Sequence, residues 1–268
     1  MLRNKLLYWI RKLGMMPAFD RLFFRFNKFK YAARNERFRK DHPDLALPPD
    51  YILYEAYRLD AESYYHDGKE TAAWVISQLQ PYCALNDATI LEWGCGPARV
   101  VRHLPVLLPN ASIHACDYNM ETIEWCRKNI QRIEFRENGL YPPLPYNGDF
   151  FDAVYAISVI THLSHENHYR WLNELNRIIR PGGCLLITSQ GAAFSSKLRK
   201  PELQLFSEGR LVQRAMVKEG HRSFSAFHPE SWMRSFFREQ WTVISFEAGV
   251  LHPWGPAQDT WLVQKKNS

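Results

Sequence analysis

The sequence predicts an α/β fold built on a mostly parallel sheet, with a helical extension ahead of it and an antiparallel hairpin at its end. Three observations carry that expectation. From residue 89 onward, short apolar runs alternate with longer amphipathic ones, the pattern of strand–helix crossover units. One apolar run stops at Gly94-Cys95-Gly96, where missing Cβ atoms allow a sharp strand-to-helix turn. Two last apolar runs, 241–247 and 259–264, are joined by a loop containing Gly and Pro and read as a closing hairpin.

Taken in order, the chain opens on a basic helical extension, residues 1–50. Its first forty residues hold twelve Lys or Arg against only Asp20 and Glu36, a net of +10; the whole chain carries +6, so the remainder is −4. Leu, Trp, Phe and Tyr are interleaved with these cations, as in a helix lying on an anionic membrane, where each basic residue contributes up to about 1 kcal/mol. The competing reading is a basic amphipathic helix packed on the core. Leu47-Pro48-Pro49-Asp50 marks a break, and residues 51–80 read as helix interrupted near Gly68. Strands are expected at 89–93, 112–116, 132–135, 151–157 and 183–189, and helices at 98–108, 119–130 and 166–180. Arg180-Pro181-Gly182-Gly183 should turn the last of these helices into its strand. Residues 190–228 form an insertion ending in His221, Arg222, Phe224 and His228, and 229–238 read as a further helix.

At 268 residues, with 46% apolar and 23% charged residues, the chain is long and apolar enough for a packed core. No run of about eighteen apolar residues is present, so no transmembrane helix is expected. Leu6-Leu7-Tyr8-Trp9-Ile10 is cut off by Arg11 and Lys12, too soon for a signal-peptide core. The expected location is cytoplasmic, with the basic segment as a peripheral contact to the inner membrane face. The five cysteines, Cys83, Cys95, Cys116, Cys126 and Cys184, contain no Cys-x-x-Cys pair and indicate neither disulfides nor a metal site. Cys95, between the glycines, is expected to be the more exposed one, but no base is in view to make it a nucleophile.

In a parallel sheet of this kind, ligands bind outside the carboxyl ends of the strands. The loops after residues 93, 116, 135 and 157 should then line one cleft. Asp117 ends the second strand about twenty residues after the glycine pair, where a carboxylate can accept hydrogen bonds from two ribose hydroxyls. Two nucleoside cofactors fit that pattern, a nicotinamide dinucleotide and S-adenosylmethionine. The dinucleotide motif wants a third glycine three residues after the second; that place is held by Arg99, a cation better suited to a carboxylate-bearing cofactor.

Four strings in register then resemble a family. They are Leu91-Glu92-Trp93-Gly94-Cys95-Gly96; Cys116-Asp117; Pro142-Pro143-Leu144-Pro145 ahead of Phe151-Asp152-Ala153-Val154-Tyr155; and Leu175 to Gly183. The order resembles class I S-adenosylmethionine-dependent methyltransferases from about residue 60 to the C-terminus. Gly94 to Arg99, Ser158 to Ser164 and Gln258-Asp259 further resemble bacterial small-molecule or glycan methyltransferases. The resemblance implies a three-layer, Rossmann-like sheet of seven strands with an antiparallel last strand, in a domain spanning 51–268. It implies S-adenosyl-L-methionine as cofactor, with Glu92, Gly94, Cys95, Gly96 and Arg99 at its methionine part. Asp117 would take the ribose, Tyr118 would lie against the adenine, and Asn138 and Gly139 would meet the adenine amino group although the usual aspartate is missing. Ser158 and His162 would face the transferred methyl.

Methyl transfer from a sulfonium is an in-line displacement that depends chiefly on positioning, and a hydroxyl acceptor also needs its proton removed. His162 is the first candidate for that base and His228 the second; Asn167 or a backbone carbonyl would instead make His162 structural. The expected acceptor is a small molecule or glycan, methylated at oxygen, and nucleic acid is disfavoured. An NAD(P)-dependent oxidoreductase and a non-catalytic scaffold at a membrane surface are the rival readings.

Overall fold

The computed structural model describes residues 16–57, 59–214, 219–220 and 224–267. The first fifteen residues, and His221 and Arg222 of the insertion, lie outside the described residues. Strands β1 (Thr89–Trp93), β2 (Ser112–Asp117), β3 (Glu134–Glu137), β4 (Phe151–Ala156) and β5 (Ile179–Ser189) pair in parallel in the order β3-β2-β1-β4-β5. Beyond β5 the sheet continues antiparallel, through β7 (Asp259–Lys265) to β6 (Trp241–Glu247) at the edge. The seven-stranded, Rossmann-like expectation is met, and the closing hairpin is inserted with its last strand inward. Strand order reverses between β1 and β4, so a crevice opens at their carboxyl ends.

Helices cover both faces. α1 (Met16–Asp41), α2 (Asp50–Ala56) and α3 (Ala61–Leu79) precede the sheet; α4 (Leu104–Leu107), α5 (Met120–Asn129) and α6 (His165–Ile178) alternate with its strands. The insertion carries α7 (Lys200–Ser207) and a two-stranded ribbon, 212–214 with 225–227, ahead of α8 (Glu230–Phe237). One layer buries Trp93, Trp171, Phe237, Trp241 and Trp261, with Trp93 and Trp171 rings 4.7 Å apart. The other layer buries Val75, Leu79, Leu104, Ile123 and Leu186. Each fully buried side chain of this size contributes roughly 1.5–3 kcal/mol.

α1 lies on α2 and α3 through Phe38, Phe24 and Tyr31 against Leu53, Tyr54 and Tyr64. Buried Asn35 fixes the register: its Oδ1 accepts from the Ala61 N–H at 2.9 Å and its Nδ2 donates to the Leu59 carbonyl at 3.2 Å. Part of the basic charge is spent inside the fold, since Arg34 pairs with Asp60 and Glu62, and Lys28 and Arg39 with Asp50. Among the described residues, no helix is long and apolar enough to cross a membrane.

Three local expectations change. The helix over 51–80 ends at Ala56 and resumes at Ala61, where Asp60 caps α3 by accepting from the Ser63 N–H, and does not break at Gly68. Gly68 is inside α3 because a Cβ there would sit 2.1 Å from the Arg99 carbonyl oxygen. The expected helix 98–108 shortens to a 3₁₀ turn, Val101–His103, and α4, because Ala98 holds a positive φ of 60° and Pro105 sits at the start of α4. Arg180 to Gly183 belong to β5 as an irregular entry, with the β4 register shifting between Phe151 and Ala153.

Candidate active site

The glycine corner is built by backbone geometry. Gly94 and Gly96 take φ of +74° and +49°, and a Cβ on Gly94 would lie 2.4 Å from the Val159 side chain. The Gly94 and Cys95 N–H groups both donate to the Cys116 carbonyl, at 2.8 and 3.0 Å, tying the loop after β1 to the end of β2. From below, the buried Tyr64 hydroxyl of α3 donates to the Pro97 carbonyl at 2.6 Å.

Asp117 closes the corner. Its two oxygens accept from the Gly96 and Asn119 N–H groups, each at 2.9 Å. Burial pushes this carboxyl upward and those backbone donors oppose the shift. Glu92 is buried as well; one oxygen accepts from the Val101 N–H at 2.9 Å and from the Tyr155 hydroxyl at 3.0 Å. Desolvation pushes Glu92 up to about 8. Arg99 donates to the Thr71 hydroxyl at 3.1 Å, and its guanidinium lies 4.7 Å from the Tyr57 ring centre. Close glycine packing of the dinucleotide kind is absent at this position.

The other walls come from further loops. Asn138 donates through Nδ2 to the Gly139 carbonyl at 2.7 Å, while its buried Oδ1 has no partner. Tyr118 donates to the Gly220 carbonyl at 3.2 Å. After β4, Ser158 takes a φ of +66°; its hydroxyl accepts from the Gln258 amide at 2.9 Å and lies 3.2 Å from the Thr161 hydroxyl. His162 places Nδ1 2.8 Å from the Phe224 carbonyl. A carbonyl only accepts, so Nδ1 carries a proton.

Glu92, Gly94, Cys95, Gly96, Arg99, Asp117, Tyr118, Asn138, Gly139, Ser158 and His162 all line one cavity of about 500 Å³. His228 does not. It is fully buried, with its Nε2 2.9 Å from that of His168, and this pair joins α6 to the segment before α8; the catalytic expectation for His228 is therefore corrected. Cys95 is buried rather than exposed, and burial raises its thiol well above the usual range, which suppresses the nucleophilic thiolate. Sequence reasoning missed Ile52, Glu55, Ala56 and Tyr57, which bring α2 over the cavity, and Trp171 from α6. No local motif marks them, since their place depends on how α2 packs. Gln258, read as able to reach the cleft, lines it.

Residues 90–183 match the family described as "Methyltransferase domain". Over that stretch, which holds the glycine corner and Asp117, the chain is similar to methyltransferase domains. The residues present fit S-adenosyl-L-methionine: Asp117 faces the cavity, Asn138 Oδ1 waits for a donor, and the glycines leave room for close approach. Among curated relatives, the methyltransferase domain is similar to an Arabidopsis thaliana tRNA (carboxymethyluridine(34)-5-O)-methyltransferase, 33% identical over 38% of this chain and 24% of that protein. It is also similar to a tRNA N(3)-methylcytidine methyltransferase of Schizosaccharomyces pombe, 30% identical over 42% of this chain and 50% of that protein. The chain thus spans half or less of these relatives. A solved S-adenosylmethionine-dependent methyltransferase of Methanosarcina mazei shares the fold, with a TM-score of 0.55 and 20% identity over 71% of this chain and 98% of that one.

Proposed function

We propose that this chain transfers the methyl group of S-adenosylmethionine to an oxygen of a small-molecule or glycan-like acceptor. The observation that carries the reading is His162 in the same cavity as the Gly96–Asp117 corner, with its Nδ1 committed to the Phe224 carbonyl. When bound, the cofactor supplies a methyl group on a sulfonium, already electrophilic. The protein has to hold and align. With the cofactor bound, Asp117 would accept hydrogen bonds from the ribose hydroxyls and Asn138 Oδ1 one from the adenine amino group, Tyr118 would lie along the adenine, and Arg99 would meet the methionine carboxylate. Such alignment is worth roughly 7–11 kcal/mol of barrier. His162, through Nε2, takes the proton of the acceptor hydroxyl, and the Ser158–Gln258 pair orients the acceptor.

The charge around the cavity supports a compact acceptor over a nucleic acid. Its lining carries Glu55, Glu92 and Asp117 against Arg99, whereas phosphate-backbone binding calls for clustered cations. The tRNA enzymes resemble this chain over 104 to 162 residues, at most 55% of its length, and so bear on the cofactor more than on the acceptor. We place the chain in the cytoplasm, where its five free cysteines stay reduced.

The test has two stages. S-adenosylhomocysteine should bind by calorimetry, and Asp117→Ala should abolish that binding; NADH binding instead would favour the oxidoreductase. A mass-shift assay then offers small hydroxyl compounds, glycans and pooled tRNA. Methylation of the first or second class supports the reading, with His162→Gln lowering kcat by about 10²–10⁴ and removing the acidic limb of the pH profile. Preferential methylation of tRNA, or an unchanged kcat in His162→Gln, defeats it.

A further inference from the structure

The inner side of α1 is packed, and its outer side is not. Phe24, Tyr31, Asn35 and Phe38 face α2 and α3. Phe19, Leu22, Phe23, Phe26 and Phe29 recur every three or four residues and therefore share the opposite side of the helix. They lie in water: Leu22 is 67% exposed, Phe26 60% and Phe29 86%. Phe19 stacks on Phe23 at 6.2 Å and Phe23 on Phe26 at 6.5 Å, so the side chains form a continuous strip. An exposed strip of this kind marks an interaction surface.

Charge identifies its partner. Arg25, Lys30 and Arg37 are exposed on or beside the strip and Arg21 is exposed between it and the packed side; none of the four forms an ion pair among the described residues, unlike Lys28, Arg34 and Arg39. The fifteen residues ahead of α1 add Arg3, Lys5, Arg11 and Lys12 and no acid. We propose that α1 seats this chain on an anionic lipid surface. Its Phe/Leu strip enters the boundary between headgroups and acyl chains, and its unpaired cations meet the lipid phosphates. A second copy laid on the strip would bring two sets of unpaired cations together with no acids to answer them. RNA would satisfy the cations but leave the strip in water, with the Phe rings stacked on one another rather than open to bases. The inference stands apart from the acceptor chemistry.

Flotation of the full chain with phosphatidylcholine vesicles, with and without phosphatidylglycerol, tests it. The chain should float with the anionic vesicles, and omission of phosphatidylglycerol should lower recovery by about tenfold or more. Phe23→Ser/Phe26→Ser/Phe29→Ser should do the same, as should Arg21→Glu/Arg25→Glu, which removes no apolar side chain. Unchanged S-adenosylhomocysteine binding by both variants shows an intact fold, and loss of that binding in the wild type would strike the methyltransferase reading while leaving the flotation result in place. Equal recovery of wild type and both variants overturns the proposal. So does a dimer in sedimentation, or a tRNA complex, that the triple variant abolishes while flotation persists.

Discussion

Replacing Glu92 by Gln isolates the cost of one buried carboxylate in the cofactor corner. Burial raises Glu92 from an ordinary 4.5 to about 8, against the opposing pull of the Tyr155 hydroxyl, the Arg99 charge and the Val101 N–H. Between those pH values the folded chain keeps a proton that the unfolded chain has released, so stability falls as pH rises. The interval is about 3.5 units, and at about 1.36 kcal/mol per unit the full penalty is about 5 kcal/mol, levelling off above pH 8. Glutamine cannot ionise, and its oxygen still accepts from Val101 and Tyr155. The variant should be the more stable, by about 1 kcal/mol near pH 5.5 and about 3 kcal/mol near pH 7. Urea unfolding of both chains without ligand, at pH 5.5, 7 and 8.5, measures the difference. Asp259 is also raised by burial, but it is common to both chains and cancels. A difference that stays constant across this range would refute the reasoning.

Other outcomes follow from the same geometry. Gly68→Ala should lower stability by about 1–3 kcal/mol, reversing the roughly 1 kcal/mol that Ala gains over Gly in a helix, because its Cβ would meet the Arg99 carbonyl; thermal unfolding reads the sign. Burial holds His168 down at about 4, and His228 is held lower than usual by burial and by His168. The unfolded chain therefore takes up protons below about pH 6.5 that the folded chain refuses, and urea midpoints should fall from pH 6.5 to 4.5 with a shallower slope in His168→Leu/His228→Leu. Asn138→Leu should weaken S-adenosylhomocysteine binding by about tenfold, while Asn138→Asp, which keeps an acceptor, should retain it; calorimetry on the two variants decides.

The cofactor side of the cavity was legible because it is made of chain-local features. Gly94, Gly96 and Asp117 sit at strand ends, and the alternation of apolar runs places strand ends together. The acceptor side was less so. Tyr57 and Glu55 reach the cavity only because α1 and α3 hold α2 in place, and no periodicity within 51–57 expresses that. His228 resembled a pocket histidine from its neighbours, but its partner His168 is sixty residues away. Gly68 looked like a helix break because the atom it must avoid belongs to the loop after β1.

By itself the sequence determined the alternation of strands and helices and the carboxylate–glycine corner, since apolar period and glycine dihedrals act over a few residues. Only the tertiary structure decided which histidine meets the cavity, what roofs it and which side of α1 is left bare. Those depend on contacts between residues distant in the chain, where burial sets whether a side chain is a reagent, a clamp or an exposed surface.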